Sequence, residues 1–397
     1  MIIKKKGLFK SILMNLIIIA LFVISDNPKY LWFFYIAGAI FISIEFFDKI
    51  FIKDSIIITF HTKISFVFLL ICSFSIFWSI EPGYDYLKFL IFNFFLMFAL
   101  NNYVDSREKF DKTIKSLILA GLILSIYVLL VSGGNFISSQ RLVIDGHNSN
   151  SIGMYLSFSL LVSIYFFDKN HNIKYLLTVP IYMIVIFLSG SKKSLFLLIF
   201  LVVFYMFYKR KGITKKMINF MISIVFISLI LYLVFSIPWA YEILGTRILD
   251  LINAITSGNT GQDTIRFYMI EFGIDKFRER PLIGYGLGNY RILLNNAIGI
   301  YMYAHNNFIE LLVSVGLIGF ITYYIIYIYI IKGLINRYRN DTNIIAFLLA
   351  IMIGIVIAEI GLVSYYSTFF QLMVALSFIG LRIVNSAVDE NTWVKKR

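Results

Sequence analysis

The sequence predicts an all-α polytopic membrane protein of about 12 transmembrane helices, each taking some 20 apolar residues, with one long extracytoplasmic loop. Three observations predict it. Apolar and aromatic residues make up 59% of the 397 positions and charged residues only 15%, at a mean hydropathy of +0.83. About a dozen spans would absorb that whole apolar inventory and leave nothing for a separate soluble core. The apolar residues also come in long runs without period-two alternation, which excludes an outer-membrane barrel, an ordinary globular enzyme and a disordered chain. Lastly, the Lys and Arg residues gather at alternate breaks between the runs, as cytoplasmic loops require.

Taken in order, the runs lie near 8–25, 29–47, 64–80, 85–103, 114–132, 149–167, 173–189, 193–208, 217–236, 306–331, 343–363 and 367–384. The first follows Lys4, Lys5 and Lys6 with no small-residue cleavage site after it, so it reads as an uncleaved span. Gly190–Lys192 and Ser364–Ser367 are short breaks that each force a hairpin. With both termini cytoplasmic, 25 of the 36 Lys and Arg residues fall inside and 11 outside. That asymmetry accounts for most of the net charge of +14 without nucleic acid. The single cysteine, Cys72, lies in an apolar run, which leaves no disulfide framework and no thiolate metal cluster. No repeat or linker divides the chain, so residues 1–397 read as one integral membrane domain.

Polar chemistry collects on the outside face. The loop 237–305 is by far the longest connection and carries six of the 11 outside cations; loops of that length are usually functional. Within it, Asp263 to Arg280 reads as an amphipathic helix with Ile270, Ile274 and Phe277 on one face, ended by Pro281. The glycines of Gly284-Tyr285-Gly286-Leu287-Gly288-Asn289-Tyr290 suit close approach of backbone to a ligand. Short cytoplasmic loops without a phosphate-binding glycine loop leave no room for a nucleotide-driven motor.

Outside arginines near a membrane surface suit a diphosphate, which they hold by paired hydrogen bonds. Arg247, Arg278 and Arg280 have Glu242, Asp250, Asp275 and Glu279 close in sequence and read as surface ion pairs. Arg266 and Arg291 have fewer carboxylates nearby and are better phosphate ligands. Lys192 and Lys193 stand in an outside hairpin, where snorkelling and phosphate binding are both open. His305 lies where the long loop re-enters the membrane, with Asn306 beside it and Glu310 five residues on. A histidine there can orient or deprotonate a hydroxyl, or can cap the helix; an ionisable Glu310 inside a span points to function. His147, with Asn148 and Asn150, suits sugar hydroxyls, and Tyr285, Tyr290, Tyr301 and Tyr303 suit stacking on sugar rings. Glu359 lies within a span and needs a partner that the sequence does not name, or else packs against a polar neighbour such as Ser364 or Gln371.

At these residues the chain resembles the O-antigen ligase and polymerase family of integral membrane glycosyltransferases. Arg266, then Arg280-Pro281-Leu282-Ile283-Gly284-Tyr285-Gly286, then Ala304-His305-Asn306-Asn307-Phe308 and Gly316-Leu317-Ile318-Gly319 carry the resemblance. Arg141, Asn148-Ser149-Asn150-Ser151-Ile152-Gly153 and Ser189-Gly190-Ser191-Lys192-Lys193 extend it upstream, so that it covers about 141–320. Where that family carries arginine after the Gly-Ser of the hairpin, this chain has Lys192 and Lys193, which keep the charge and lose the planar fork.

The resemblance implies glycosyl transfer from undecaprenyl diphosphate at the outer face of the cytoplasmic (inner) membrane, inverting and independent of metal or other cofactor. His305 and Arg266 would be catalytic. Arg141, Lys192, Lys193, Arg280, Arg291, Asn306 and Glu310 would bind substrate. The expected partners are the undecaprenyl-diphosphate-linked oligosaccharide, membrane lipid, and the flippase and chain-length regulator of the same pathway. Composition leans toward an O-antigen or capsular polysaccharide polymerase. The alternatives are a ligase that moves finished lipopolysaccharide glycan to lipid A core or protein, and a flippase. A transporter would show two related halves and midplane charges; no halves are visible, and the polar residues gather on one face.

Overall fold

A computed structural model describes the chain except at residues 1, 26, 53–54, 133–141, 143, 145, 258–260, 339–340 and 395–397, and describes backbone alone at 2–6, 254–255, 257, 261–264 and 387–394. Among the described residues there is no strand, and the helices run in the order α1 (Ile2–Val23), α2 (Leu31–Phe47), α3 (Phe60–Phe74), α4 (Tyr84–Tyr103), α5 (Arg107–Val131), α6 (Ser149–Asn170), α7 (Val179–Leu188), α8 (Lys192–Tyr208), α9 (Ile213–Ser236), α10 (Pro238–Ala240), α11 (Thr246–Ser257), α12 (Gly261–Glu279), α13 (Tyr290–Ile298), α14 (Asn307–Asn336), α15 (Thr342–Glu359) and α16 (Thr368–Val394).

Each of the twelve apolar runs falls on one of these helices. Among the described residues eight helices are long and apolar enough to cross a membrane, and Gly7–Val23 and Ile173–Leu188 are shorter apolar helices. The chain is an all-α, multi-pass membrane protein. Side-chain caps explain why the polar breaks mark helix starts so well. Thr59 accepts from the Thr62 amide at 3.1 Å, Ser191 from Ser194 at 3.2 Å and Asp341 from Ile344 at 3.3 Å, each satisfying an orphan N–H. The core lies where α1, α5, α6, α8, α14, α15 and α16 meet, around fully buried Phe110, Phe158, Tyr165, Phe347 and Ile379. Among the helices, Lys10 pairs with Glu45 at 2.6 Å and with Asp48, and Lys209 pairs with Asp168.

Helix α14 is broken. Gly316 has φ +65° and ψ −170°, a backbone open only to glycine. The groups freed by the break are taken by the glycine-rich loop: the Tyr285 and Gly286 amides donate to the Val313 and Ser314 carbonyls at 2.8 Å each, while the Leu317 and Ile318 amides donate to the Pro281 and Leu282 carbonyls at 2.8 and 3.2 Å. A broken helix inside a membrane is tolerated where its backbone groups are satisfied again in this way. The contact is so close that a Cβ on Gly284 would sit 2.5 Å from the Val313 oxygen. Of the glycines expected to approach a ligand, Gly284 thus approaches a helix backbone, while Gly286 meets Ser79 and Gly288 the Tyr86 ring.

The expected helix at Asp263–Arg280 is α12, but its packed face differs from the Ile270, Ile274 and Phe277 stripe. Ile274 is exposed, whereas Met269 and Gly273 are buried. A Cβ on Gly273 would lie 2.2 Å from Ile309 Cγ2, so α12 crosses α14 at a position that carries no side chain. The closest crossing, and not the greasiest stripe, selects the inward face.

Candidate active site

The crossing of α12 on α14 has a consequence two turns earlier. Arg266 lies three and seven residues before Met269 and Gly273, on the same helical face, and is carried to the mouth of a cavity of about 710 Å³. The cavity gathers one end of the bundle: Ser25 after α1, Tyr35 of α2, His147 and Asn148 before α6 with Asn150 in its first turn, Lys193 of α8, Arg266 of α12, Tyr303 and His305 before α14, and the 361–368 turn between α15 and α16. All of these segments belong to loops or helix ends expected on one side of the membrane. Residues separated by more than 150 positions therefore meet as the alternation of spans requires.

His305 is held in an unusual backbone. Its φ is +53°, in the left-handed region that non-glycine residues seldom enter. The turn is pinned from both sides. Glu310, 1% exposed, accepts from the Ala304 amide at 2.8 Å. Asn306 caps α14 through the Phe308 and Ile309 amides at 2.9 and 3.1 Å and donates to the Ile360 carbonyl at 3.2 Å. The His305 ring lies 4.2 Å from the Tyr303 ring, with Nε2 3.1 Å from Met302 Sδ. Loss of hydration, then the nearby positive charges of Lys193 and Arg266, push its pKa down to about 4. At neutral pH it is an uncharged imidazole set beside two cations.

Lys193 donates to the Gly361 carbonyl, which ties α8 to the 361–368 turn. That turn is tied in addition to the start of α14: Asn307 Oδ1 accepts from the Ser364 and Tyr365 amides at 2.9 and 3.1 Å, and its amide donates to Tyr324 at 3.0 Å. Glu359 completes the lattice, accepting from Tyr327 at 2.8 Å, Tyr324 at 3.0 Å, Tyr323 at 3.4 Å and Ser364. Ser364 was legible as a partner; the three tyrosines were not, although Tyr323, Tyr324 and Tyr327 share one face of α14.

The remaining sequence-selected residues fall elsewhere. Arg291 is sandwiched between the rings of Tyr86 and Tyr301, at 5.0 and 5.3 Å from their centroids, and does not line the cavity. Arg280 lies over Tyr285 at 4.7 Å. Lys192 is partly buried next to Lys193 outside the lining, and Glu310 acts on the main chain of the 304–305 turn. Arg278 pairs with Asp275 at 2.9 Å, as its sequence neighbours imply, and Arg247 donates to the Gly190 carbonyl at 2.6 Å. Arg141 lies outside the described residues. Tyr285 and Tyr290 are not free for sugar stacking; they are 7% and 0% exposed, packed with Met269, Ile309 and Val313. Sequence reading missed Tyr35 and Phe89, which lie in ordinary span sequence, and Tyr366, which lies in the short break between the last two spans. Among the described residues no group of three or more His, Cys, Asp or Glu is placed to hold a metal ion.

Residues 177–324 match the family model described as O-Antigen ligase. The match covers a little over a third of the chain. The match begins ahead of α7 and ends within α14, so it holds Lys193, Arg266, His305, Asn306 and Glu310 and stops before Glu359. The O-antigen ligase family comprises membrane glycosyltransferase-like enzymes that use lipid-linked polysaccharide. No curated protein matches the chain.

Proposed function

We propose that this chain is a polysaccharide polymerase, transferring glycan from undecaprenyl diphosphate onto a second lipid-linked repeat unit at the outer face of the cytoplasmic membrane. The observation that carries the reading is the convergence of Lys193, Arg266 and His305, from three separate elements, on one membrane-end cavity. Arg266 and Lys193 would take the diphosphate, Arg266 by its planar fork and Lys193 as a point charge. As the bond from the anomeric carbon to the diphosphate oxygen breaks, charge grows on the leaving group, and fixed cations placed there stabilise it in the role a divalent metal fills elsewhere. The acceptor hydroxyl forms the new bond from the opposite face, with inversion, and gives up its proton. A neutral His305 orients that hydroxyl and can receive the proton, since its lone pair is free over the whole physiological range. Arg280, Arg291, Lys192, Asn306 and Glu310 stand outside the cavity lining and would support this set from around it, and the flippase and chain-length regulator remain partners by pathway logic.

The test is complementation of a strain lacking the gene, with its surface glycan resolved by length. Single repeat units without the protein and a ladder with it support the polymerase. Full-length glycan stranded on undecaprenyl diphosphate identifies a ligase acting on lipid A core or protein, and glycan trapped on the cytoplasmic face would identify a transporter.

A further inference from the structure

A groove of about 250 Å³ lies between α8 and the end of α15. Lys193, Phe196 and Leu197 line it from α8, and Ile357, Ala358 and Ile360 from α15 and the residue after it. Met154, Lys193, Gly361 and Leu362 line both this groove and the large cavity, so the two spaces meet at Lys193. The Lys193 stem lies along Gly361, where an added Cβ would meet Cε and Nζ at 3.1 Å, and Nζ donates to the Gly361 carbonyl. Phe196 and Ile360 are 62% and 59% exposed and do not line the cavity; they form the outer rim. Farther along the two helices the groove is closed, since a Cβ on Gly354 would lie 2.5 Å from Leu201 Cδ2. The groove is thus a lateral approach to the cavity from the lipid-facing surface.

The chemistry of the lining selects the kind of molecule. Among the described residues of the groove, Lys193 alone carries a polar side chain, so the surface turns apolar immediately beside the ammonium. In a phospholipid, glycerol and ester groups separate the phosphate from the acyl chains, and an apolar wall along that stretch would leave them unpaired at a cost. In a polyprenyl diphosphate the phosphate is bonded directly to the first isoprene unit. A diphosphate held at Lys193 therefore brings hydrocarbon at once against Leu197, Ala358 and Phe196, where its burial is favourable.

We propose that the groove between α8 and α15 holds the first isoprene units of the polyprenyl carrier, with Lys193 at the point where the chain leaves the cavity and the diphosphate stays inside. The inference rests on the proposed function and adds to it the route of the carrier lipid, whose chain stays in the membrane while its phosphates and glycan lie within the bundle. It also gives Gly361 a role. That glycine lies outside the left-handed backbone region; what it supplies is room for the Lys193 stem at the junction.

The experiment uses the full-length protein in phosphatidylglycerol nanodiscs with undecaprenyl diphosphate radiolabelled in its isoprenoid chain. A photoreactive benzoylphenylalanine replaces Phe196 in the groove or, as the control for ordinary lipid contact, Val225, which is exposed on α9. Capture of label at 196 is expected to exceed capture at 225 about 10-fold, the preference that about two buried CH₂ groups confer. Lys193→Met is expected to bring capture at 196 down to the level at 225, because the diphosphate no longer anchors the chain, and Lys193→Arg, which keeps the charge, is expected to retain it. Equal capture at 196 and 225 overturns the groove, as does capture at 196 that Lys193→Met leaves undiminished. Labelled phosphatidylglycerol captured at 196 as strongly as the isoprenoid overturns it too. Retention of undecaprenyl diphosphate by the same samples separates the failures: a groove that fails while Lys193→Met with Arg266→Met still loses the lipid leaves the proposed function standing, whereas unchanged retention in that double variant overturns both.

Discussion

Replacing Gly284 by alanine tests whether the glycine-rich loop is a structural clasp on the broken helix. Gly284 has φ +64°, and an added Cβ would meet the Val313 oxygen at 2.5 Å and Ser314 backbone atoms at 2.7 Å. The left-handed backbone alone costs about 1–2 kcal/mol for a residue with a Cβ. Relieving the contact means drawing the loop off α14, which forfeits the two 2.8 Å bonds from Tyr285 and Gly286 at about 1 kcal/mol each. The total is about 3–4 kcal/mol. Gly299 is the control: its φ is +72°, with no atom within 4 Å of a Cβ, so Gly299→Ala costs only the conformational part, about 1–2 kcal/mol. The assay is the thermal midpoint of purified protein in detergent, followed by size exclusion of heated samples. Gly284→Ala is expected to fall at least twice as far as Gly299→Ala and to lose glycan polymerisation as Arg266 and His305 separate. Equal falls in the two variants would refute the clasp.

Other perturbations separate chemistry from support. Glu310→Gln keeps an oxygen for the Ala304 amide and is expected to retain activity, whereas Glu310→Leu leaves that buried N–H unpaired at about 1–3 kcal/mol and is expected to inactivate; an inactive Glu310→Gln would give the carboxylate a chemical role. Lys193→Met removes one of the charges that hold the His305 pKa down to about 4. Fewer positive neighbours favour imidazolium, so the acid limb of the rate is expected to move up in pH, short of the ordinary value because loss of hydration remains; a pH–rate profile that stays put would remove His305 from the rate-limiting proton step. Glu359→Ala strands Ser364 and three tyrosine hydroxyls on α14 and is expected to lower stability by about 2 kcal/mol or more, read as a lower thermal midpoint; an unchanged midpoint would mean that these hydroxyls find other partners.

Span positions were legible because one signal, apolar runs cut by polar caps such as Thr59, Ser191 and Asp341, sets helix boundaries and depends on local sequence alone. His305, Arg266 and Lys193 were legible for a related reason: alternation of spans puts their loops on one side of the membrane, and few other cations there lack a nearby carboxylate. What stayed hidden depends on contact between distant segments. No local pattern shows that Gly284 faces Val313, or that Gly273 lets α12 lie on Ile309, so the inward face of α12 was read off by its apolar stripe. Tyr285 and Tyr290 read as exposed aromatics because their loop is polar, yet the clasp on α14 buries them. Tyr35 looks like any span tyrosine, and Tyr366 like any hairpin residue, until the fold brings them to one cavity.

The central claim is that Arg266, Lys193 and His305 act together on a lipid-linked glycan, and reconstitution tests it most directly. Purified protein in liposomes would receive undecaprenyl-diphosphate-linked repeat units in the presence of EDTA, with products resolved by length. The account predicts a ladder with wild type and only single units with Arg266→Ala or His305→Ala, both still inserted and folded. An unchanged ladder from either variant, or no ladder from wild type without a divalent cation, would contradict it.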